Sequence, residues 1–440
     1  MFSTEHSFAQ SVTQSVRIQP ATVPREMKTF LSILIVLLVQ GTAEELKLAY
    51  QWTQLSAPIL DNNVSTSNQM VQRPAESFNA YGNVPMGLSH HKGRLFVTFP
   101  RRNPGIPATL TVINMLQFQG VNNPPVSAYP DGITNTLQLN YTADPMRIVS
   151  VYRTKVDKCD RLWFVDTGYL EYPNNERQVQ RPALWIIDLR DDRVLQRFEI
   201  PTSIVERGFG MVSITVDVEA DRCDQAYAYI SDYQWQGLYV YSLATNRMWR
   251  FSHIFFSFEP RNGRFNLGGL RFVWNDGLFS IAIGERIRNS ANRMVYLHAM
   301  AATSEIAVSN SVLNNETLSR SATDFNGLFL HLGSRGPNTH SANHAYDERT
   351  GVLFYTEVNR NSIGCWNSAL DFNADNHGLV HMDNEKMIYP SDLTIDNDGV
   401  MWVMSNRFPL WLYYRLNVTD FNFRIWRQTG INAIKGTICV

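Results

Sequence analysis

The residues able to do chemistry stand singly along this chain and form no standard catalytic signature. There is no GxSxG elbow, no HExxH pair and no glycine-rich phosphate loop running into Lys-Ser/Thr. His377 and His381 stand four apart, but no Glu accompanies them and their surroundings read as a loop before a strand. The sequence therefore offers no metal-ligand set and no cofactor motif. What remains is recognition by hydroxyl, amide and ring. Ser391 and Asn406 supply hydrogen-bond donors and acceptors, and Phe408 supplies a face for stacking or cation–π attraction. Met86, Arg147, Asp166, Thr167, Ser231, Asp232, Asn266 and Asn359 are weaker candidates of the same kind. Asp160, Asp224 and Asp398 read as turn formers.

The elements that would position these residues are strands. The 440 residues are 44% hydrophobic, 12% aromatic and 18% charged, with a net charge of −1. That balance suits packed sheets and leaves no electrostatic footprint for nucleic acid. One pattern recurs: a turn with Gly or Asp, then a strand mixing aromatic and aliphatic residues. Its copies are Lys92–Val97, Cys159–Asp166, Cys223–Ile230, Asn275–Ile281, Thr350–Tyr355 and Asp396–Val403. Several follow another strand, as Met211–Asp217 and Ser391–Asp396 do, so each copy is the second arm of a hairpin. After the third copy, Gly237–Ser242 and Asn246–Phe251 add a third and a fourth strand. Four strands per repeat and six repeats predict an all-β fold, a six-bladed β-propeller. A strand within Leu46–Leu55 could complete the last blade and join the two ends of the chain. In such a ring the residues that open an inner strand or follow the second face the central channel. Ser391 and the run Ser405-Asn406-Arg407-Phe408 hold those positions in blade six.

The N-terminus reads as an address. Met27-Lys28, the apolar run Phe30–Val39 and the small residues Gly41-Thr42-Ala43 make a secretory signal with cleavage near Ala43. Residues 1–43 are then an upstream segment and signal peptide, with Met1 or Met27 as initiator, and 44–440 a single propeller domain. The apolar run is shorter than the roughly 20 residues a membrane span needs. In a secreted chain the even count of cysteines suggests disulfides. Cys159 and Cys223 occupy equivalent turns of consecutive repeats, which favours their pairing and leaves Cys365 with Cys439. The sequons at Asn63, Asn140, Asn315 and Asn417 become candidate glycan sites.

Arg161–Gly168, Arg181–Leu189, Ile230-Ser231-Asp232 with Gly237–Tyr241, Asn359–Asn367 and Trp402–Pro409 resemble motifs of the insect yellow and major royal jelly protein family. The likeness runs from about Gln51 to the C-terminus. It implies a secreted propeller, in some members a role in cuticle melanisation and, in one branch, conversion of dopachrome toward dihydroxyindole. Relatives from blood-feeding insects bind biogenic amines at residues that match Ser391, Asn406 and Phe408; the family commonly has Thr in place of Ser391. The implied partner is a small catechol or indole-type molecule. Dopachrome isomerisation needs a base for a ring proton and donors for the charge that develops on oxygen. Asp232 or His340 could be that base, and Arg147 or Arg407 could hold the substrate carboxylate. The rival readings are a carrier of catechols and amines, a structural or signalling pigmentation protein, and a metal-dependent lactonase-like propeller.

Overall fold

A computed structural model describes residues 45–60, 78–171, 176–205 and 210–440. The expected signal segment with its cleavage near Ala43, and Asn63, lie outside the described residues. Six four-stranded antiparallel sheets are arranged as the blades of a propeller. Their innermost strands are Gly87–His91, Val151–Val156, Met211–Asp217, Leu278–Arg286, His344–Asp347 and Pro390–Ile395. Each contacts the next, and the sixth contacts the first, so they form a closed ring around the channel. The inner strands of blades 1 and 2 come so close that a Cβ on Gly87 would lie 2.3 Å from the Tyr152 carbonyl oxygen.

The second strands explain the repeat seen in the sequence. A blade is covered on both faces by its neighbours, so a strand near its middle is apolar throughout, without alternation. Leu162, Trp163, Phe164 and Val165 are all buried. Trp163 meets Tyr241 of blade 3 edge-on at 6.4 Å, while Phe164 stacks on Trp185 within its own blade. Outer strands such as Arg193–Glu199 return to polar, exposed patterns. An acid at the hairpin turn locks two of these units. Asp157 accepts the Trp163 indole N–H at 2.8 Å, and Asp396 accepts that of Trp402 at 2.9 Å.

The fourth copy is out of phase. Leu278–Arg286 is the innermost strand of blade 4, and Arg293–Ala299 is the second. Its Asn-Asp-Gly turn is therefore not the hairpin turn of a blade but the entry to one. Blade 6 closes as expected: Lys47–Trp52 pairs antiparallel with Phe423–Thr429, Trp52 opposite Phe423. The bridges Cys159–Cys223 and Cys365–Cys439 are both formed. No helix among the described residues is long and apolar enough to cross a membrane.

One side chain spans the channel. Arg153, on the inner strand of blade 2, places Nε 3.0 Å from Asp392 of blade 6. Its Nη2 donates to the carbonyls of Ser391 and Ala342, and its guanidinium lies 5.1 Å from the Phe279 ring centroid of blade 4. Asp392 in turn accepts Leu88 N–H of blade 1 at 2.8 Å and the Asn343 amide of blade 5 at 2.5 Å. Both ions are buried. Removing one partner leaves the other charged and unpaired, so Asp392→Ala should destabilise by about 3–5 kcal/mol. Asp191→Ala, at the exposed pair with Arg193, should change stability by less than about 1 kcal/mol. Urea unfolding of the two variants side by side measures the difference.

Candidate functional site

Loops that enter inner strands and leave second strands gather at one mouth of the channel. Arg102 follows the second strand of blade 1 (Arg94–Thr98), Tyr233 that of blade 3 (Tyr227–Asp232), and Phe408 that of blade 6 (Val400–Ser405). Asp276 and Tyr389 precede the inner strands of blades 4 and 6. Phe408 stacks on Trp411 at 5.6 Å and lies 6.2 Å from Tyr389 and 6.3 Å from Trp274. The hairpin of Arg264–Leu267 and Leu270–Val273 extends this aromatic wall, with Phe272 4.6 Å from Trp274. Phe279 contacts Tyr233 at 5.6 Å and covers Arg153.

Into this aromatic surround come one cation and one free acid. The Arg102 guanidinium lies 5.0 Å from the Phe408 ring centroid. Its Nη1 is 2.8 Å from Glu171 and donates at 2.8 Å to the Tyr152 hydroxyl, which itself donates to Glu171. Burial works against the Arg102 charge, and Glu171 and Tyr152 more than offset it. Asp276 differs from the other acids at this mouth. Its carboxylate makes no hydrogen bond and no ion pair among the described residues, and burial, eased by Arg102, pushes its pKa up to about 6. Asp276 and Arg102 also act together on the Tyr233 and Tyr389 hydroxyls, whose pKa values are raised first by burial. The Asp276 carboxylate, the Arg102 guanidinium and the Tyr233 and Tyr389 hydroxyls thus lie within electrostatic reach of one another.

The residues singled out from the sequence fall in several places. Phe408 is in the aromatic wall. Ser391 is buried, its hydroxyl 3.5 Å from the Met86 carbonyl and its own carbonyl accepting from Arg153. Asn406 is fully buried and occupied: its amide donates to Pro85 O at 2.7 Å and contacts the Met86 sulfur, and its oxygen accepts the Phe408 N–H. It positions Phe408. The Asp232 carboxylate accepts from Gln234 N, Trp235 N and the Tyr239 hydroxyl, which makes it a turn lock. His340 has both ring nitrogens engaged, Nε2 with Asn262 O and Nδ1 with the Asn359 amide. Arg147 is spent on Asp144 and the carbonyls of Ile133 and Thr136. Arg407 turns away from Phe408 toward Asn422, Glu385 O and Asp420. His377 and His381 lie on the outer strand of blade 5, not in a loop. Asn140, Asn315 and Asn417 are exposed.

Sequence reasoning missed Arg102 and Asp276. Arg102 follows its second strand as the run holding Phe408 follows its own, and that parallel could have found it. Asp276 was hidden by the shifted phase of the fourth repeat. One further cluster, His298, Glu305 and His344, lies buried between blades 4 and 5. Its ligand atoms are bonded to one another, and Arg335 stands 2.7 Å from Glu305, supplying the positive charge a cation would bring.

Residues 149–439 match the family model described as Major royal jelly protein. The L-dopachrome tautomerase yellow-f of Drosophila melanogaster is 47% identical over 389 residues, which cover 88% of this chain and 89% of that protein. Protein yellow of Drosophila pseudoobscura pseudoobscura is 34% identical over 421 residues, covering 93% of this chain and 72% of the relative. Protein yellow of Drosophila melanogaster is 33% identical over 420 residues, covering 94% and 74%.

The raised Asp276 pKa is also a stability statement. The fold disfavours the ionised carboxylate, so the stability associated with its protonated form is complete below the unfolded value near 4 and is lost as pH rises through about 6. Asp276→Asn should therefore match wild type in melting temperature at pH 4 and exceed it at pH 8, by about 1–2 kcal/mol in stability. Calorimetry at the two pH values checks the sign.

Proposed function

This chain belongs to the yellow and major royal jelly protein family, and from that membership we propose that it accelerates the isomerisation of dopachrome toward dihydroxyindole. The observation that carries the reading is the uncommitted Asp276 carboxylate, poised near pH 6 and facing Arg102 within an aromatic wall. Dopachrome is a planar indoline quinone whose ring proton is lost from carbon while charge gathers on a quinone oxygen. Phe408, Trp274 and Tyr389 offer faces for the ring. Asp276 takes the proton, which requires its ionised form. Both contacts of Arg102 use Nη1, so its other N–H groups can meet the developing oxyanion, where a fixed charge in a dry site does most. The electron pair ends on oxygen, solvent returns a proton there, and no external oxidant or reductant is consumed; the isomer keeps the carboxyl group, and release of CO2 completes the path to dihydroxyindole itself. Glu171 and Tyr152 hold the guanidinium in place. Secretion, with glycans on Asn140, Asn315 and Asn417, belongs to the same proposal; the two disulfides support it.

An aromatic wall with a carboxylate also suits a protonated amine, which keeps a carrier of biogenic amines as the second reading. Following decay of the dopachrome chromophore separates the two. Turnover should rise with pH through about 6 and level off above it, following Asp276 ionisation. Asp276→Asn should lower kcat by about 10²–10⁴-fold. Phe408→Ala should weaken ligand binding by about 1–3 kcal/mol through lost stacking. Wild type that binds amines saturably yet leaves the spontaneous decay unchanged would establish the carrier instead.

A further inference from the structure

On the far side of Arg153 the channel opens into a cavity of ≈ 410 Å³, lined by inner strands of all six blades. It reaches solvent near Lys158 and Glu348, whose side chains are 37% and 44% exposed. The volume is that of a small-molecule site, and it is separate from the aromatic mouth. Most cations on its wall are engaged. Arg153 is paired with Asp392, while Lys158 and Arg293 each stand 2.9 Å from Glu348.

Lys155 is the exception. It lies on the inner strand of blade 2 and lines the cavity, and its amine has no hydrogen bond and no ion pair among the described residues. The other described lysines, Lys47, Lys92, Lys158, Lys386 and Lys435, are exposed; Lys155 alone is half-buried. Around it stand Asp392 and Asp396 of blade 6, Glu348 of blade 5 and Lys158 of its own blade, all beyond contact distance. An enclosed primary amine, unpaired and beside a ligand-sized space, is the arrangement by which proteins make lysine a nucleophile.

We propose that Lys155 is a carbonyl-reactive amine and that this cavity takes a small aldehyde, captured as an imine. The Nζ lone pair attacks the carbonyl carbon and a C–N bond forms. The carbonyl oxygen takes up protons and leaves as water, and no redox partner is needed. Burial lowers the Lys155 pKa against the pull of the three carboxylates, with Lys158 adding to the depression, and this enlarges the share of free amine near neutrality. Asp392, Asp396 and Glu348 then favour the protonated imine once it forms. A cavity of this size holds one aromatic ring bearing an aldehyde.

The test uses the full chain with 4-hydroxybenzaldehyde and cyanoborohydride at pH 7, followed by peptide mass mapping over time. Lys155 should be alkylated at least about 10-fold faster than any exposed lysine. Lys155→Arg should lose that fast adduct while dopachrome decay is unaffected, and Lys158→Arg should keep it. Labelling of Lys155 no faster than Lys158, or a fast adduct that survives Lys155→Arg, overturns the proposal. The ranking in wild type decides the matter even if Lys155→Arg fails to fold. Because the readout is an adduct and not turnover, its failure leaves the reading of the other mouth untouched.

Discussion

At the axis of a propeller the inner strands crowd together, and the side chains that point inward must share a narrow space with their neighbours across the ring. Here that space is filled by an ion pair, Arg153 with Asp392. Burial pulls the Arg153 pKa down and pushes that of Asp392 up, and each partner offsets part of the strain on the other. Two buried charges gain little net stability over a well-packed apolar pair. What the pair adds is direction: its hydrogen bonds and its own ion pair engage blades 1, 2, 5 and 6, and the Phe279 ring contact adds blade 4. A hydrocarbon plug would fill the same volume without specifying which blade stands opposite which.

The same pair divides the channel and so creates two environments from one tunnel. The aromatic mouth is walled by rings and holds a carboxylate with no hydrogen-bond partner among the described residues. The opposite cavity mixes apolar strand residues with charged and polar groups, most of which are paired. Asp276 and Asp232 show how sharply position sets role. Both are acids at the same mouth with pKa values raised by burial. Asp232 is ringed by three donors and holds a turn, whereas Asp276 has none among the described residues and remains available to a ligand.

The fold was legible because a blade's second strand is covered on both sides and must be apolar at every position, as Leu162–Val165 are. Cysteines at equivalent turns gave the bridges for a similar reason: repetition puts equal positions side by side. The site was harder to read, because it depends on phase. Asn275-Asp276-Gly277 looks like any hairpin turn, and only the pairing of Leu278–Arg286 as an innermost strand moves Asp276 to the mouth. Arg407 adjoins Phe408 in sequence, yet its left-handed backbone, with φ of 51°, turns the side chain outward. Asn406 was visible as a polar residue beside the ligand, but not as one whose amide is already used. Periodicity reports which residues are buried; it does not report which polar atoms are left over.

The last blade is made of strands from both ends of the chain, with Trp52 set opposite Phe423. On the ribosome, the N-terminal strand emerges long before its partner exists. Until residues 423–429 have been made, the ring is open, with an unpaired edge of the kind that recruits strands from other chains. Cys365 likewise waits for Cys439, 74 residues further on. Five blades can assemble during synthesis, but the ring can close only when Phe423–Thr429 has been delivered. A ribosome that stops before residue 423 releases a molecule with most of its core and no way to seal it.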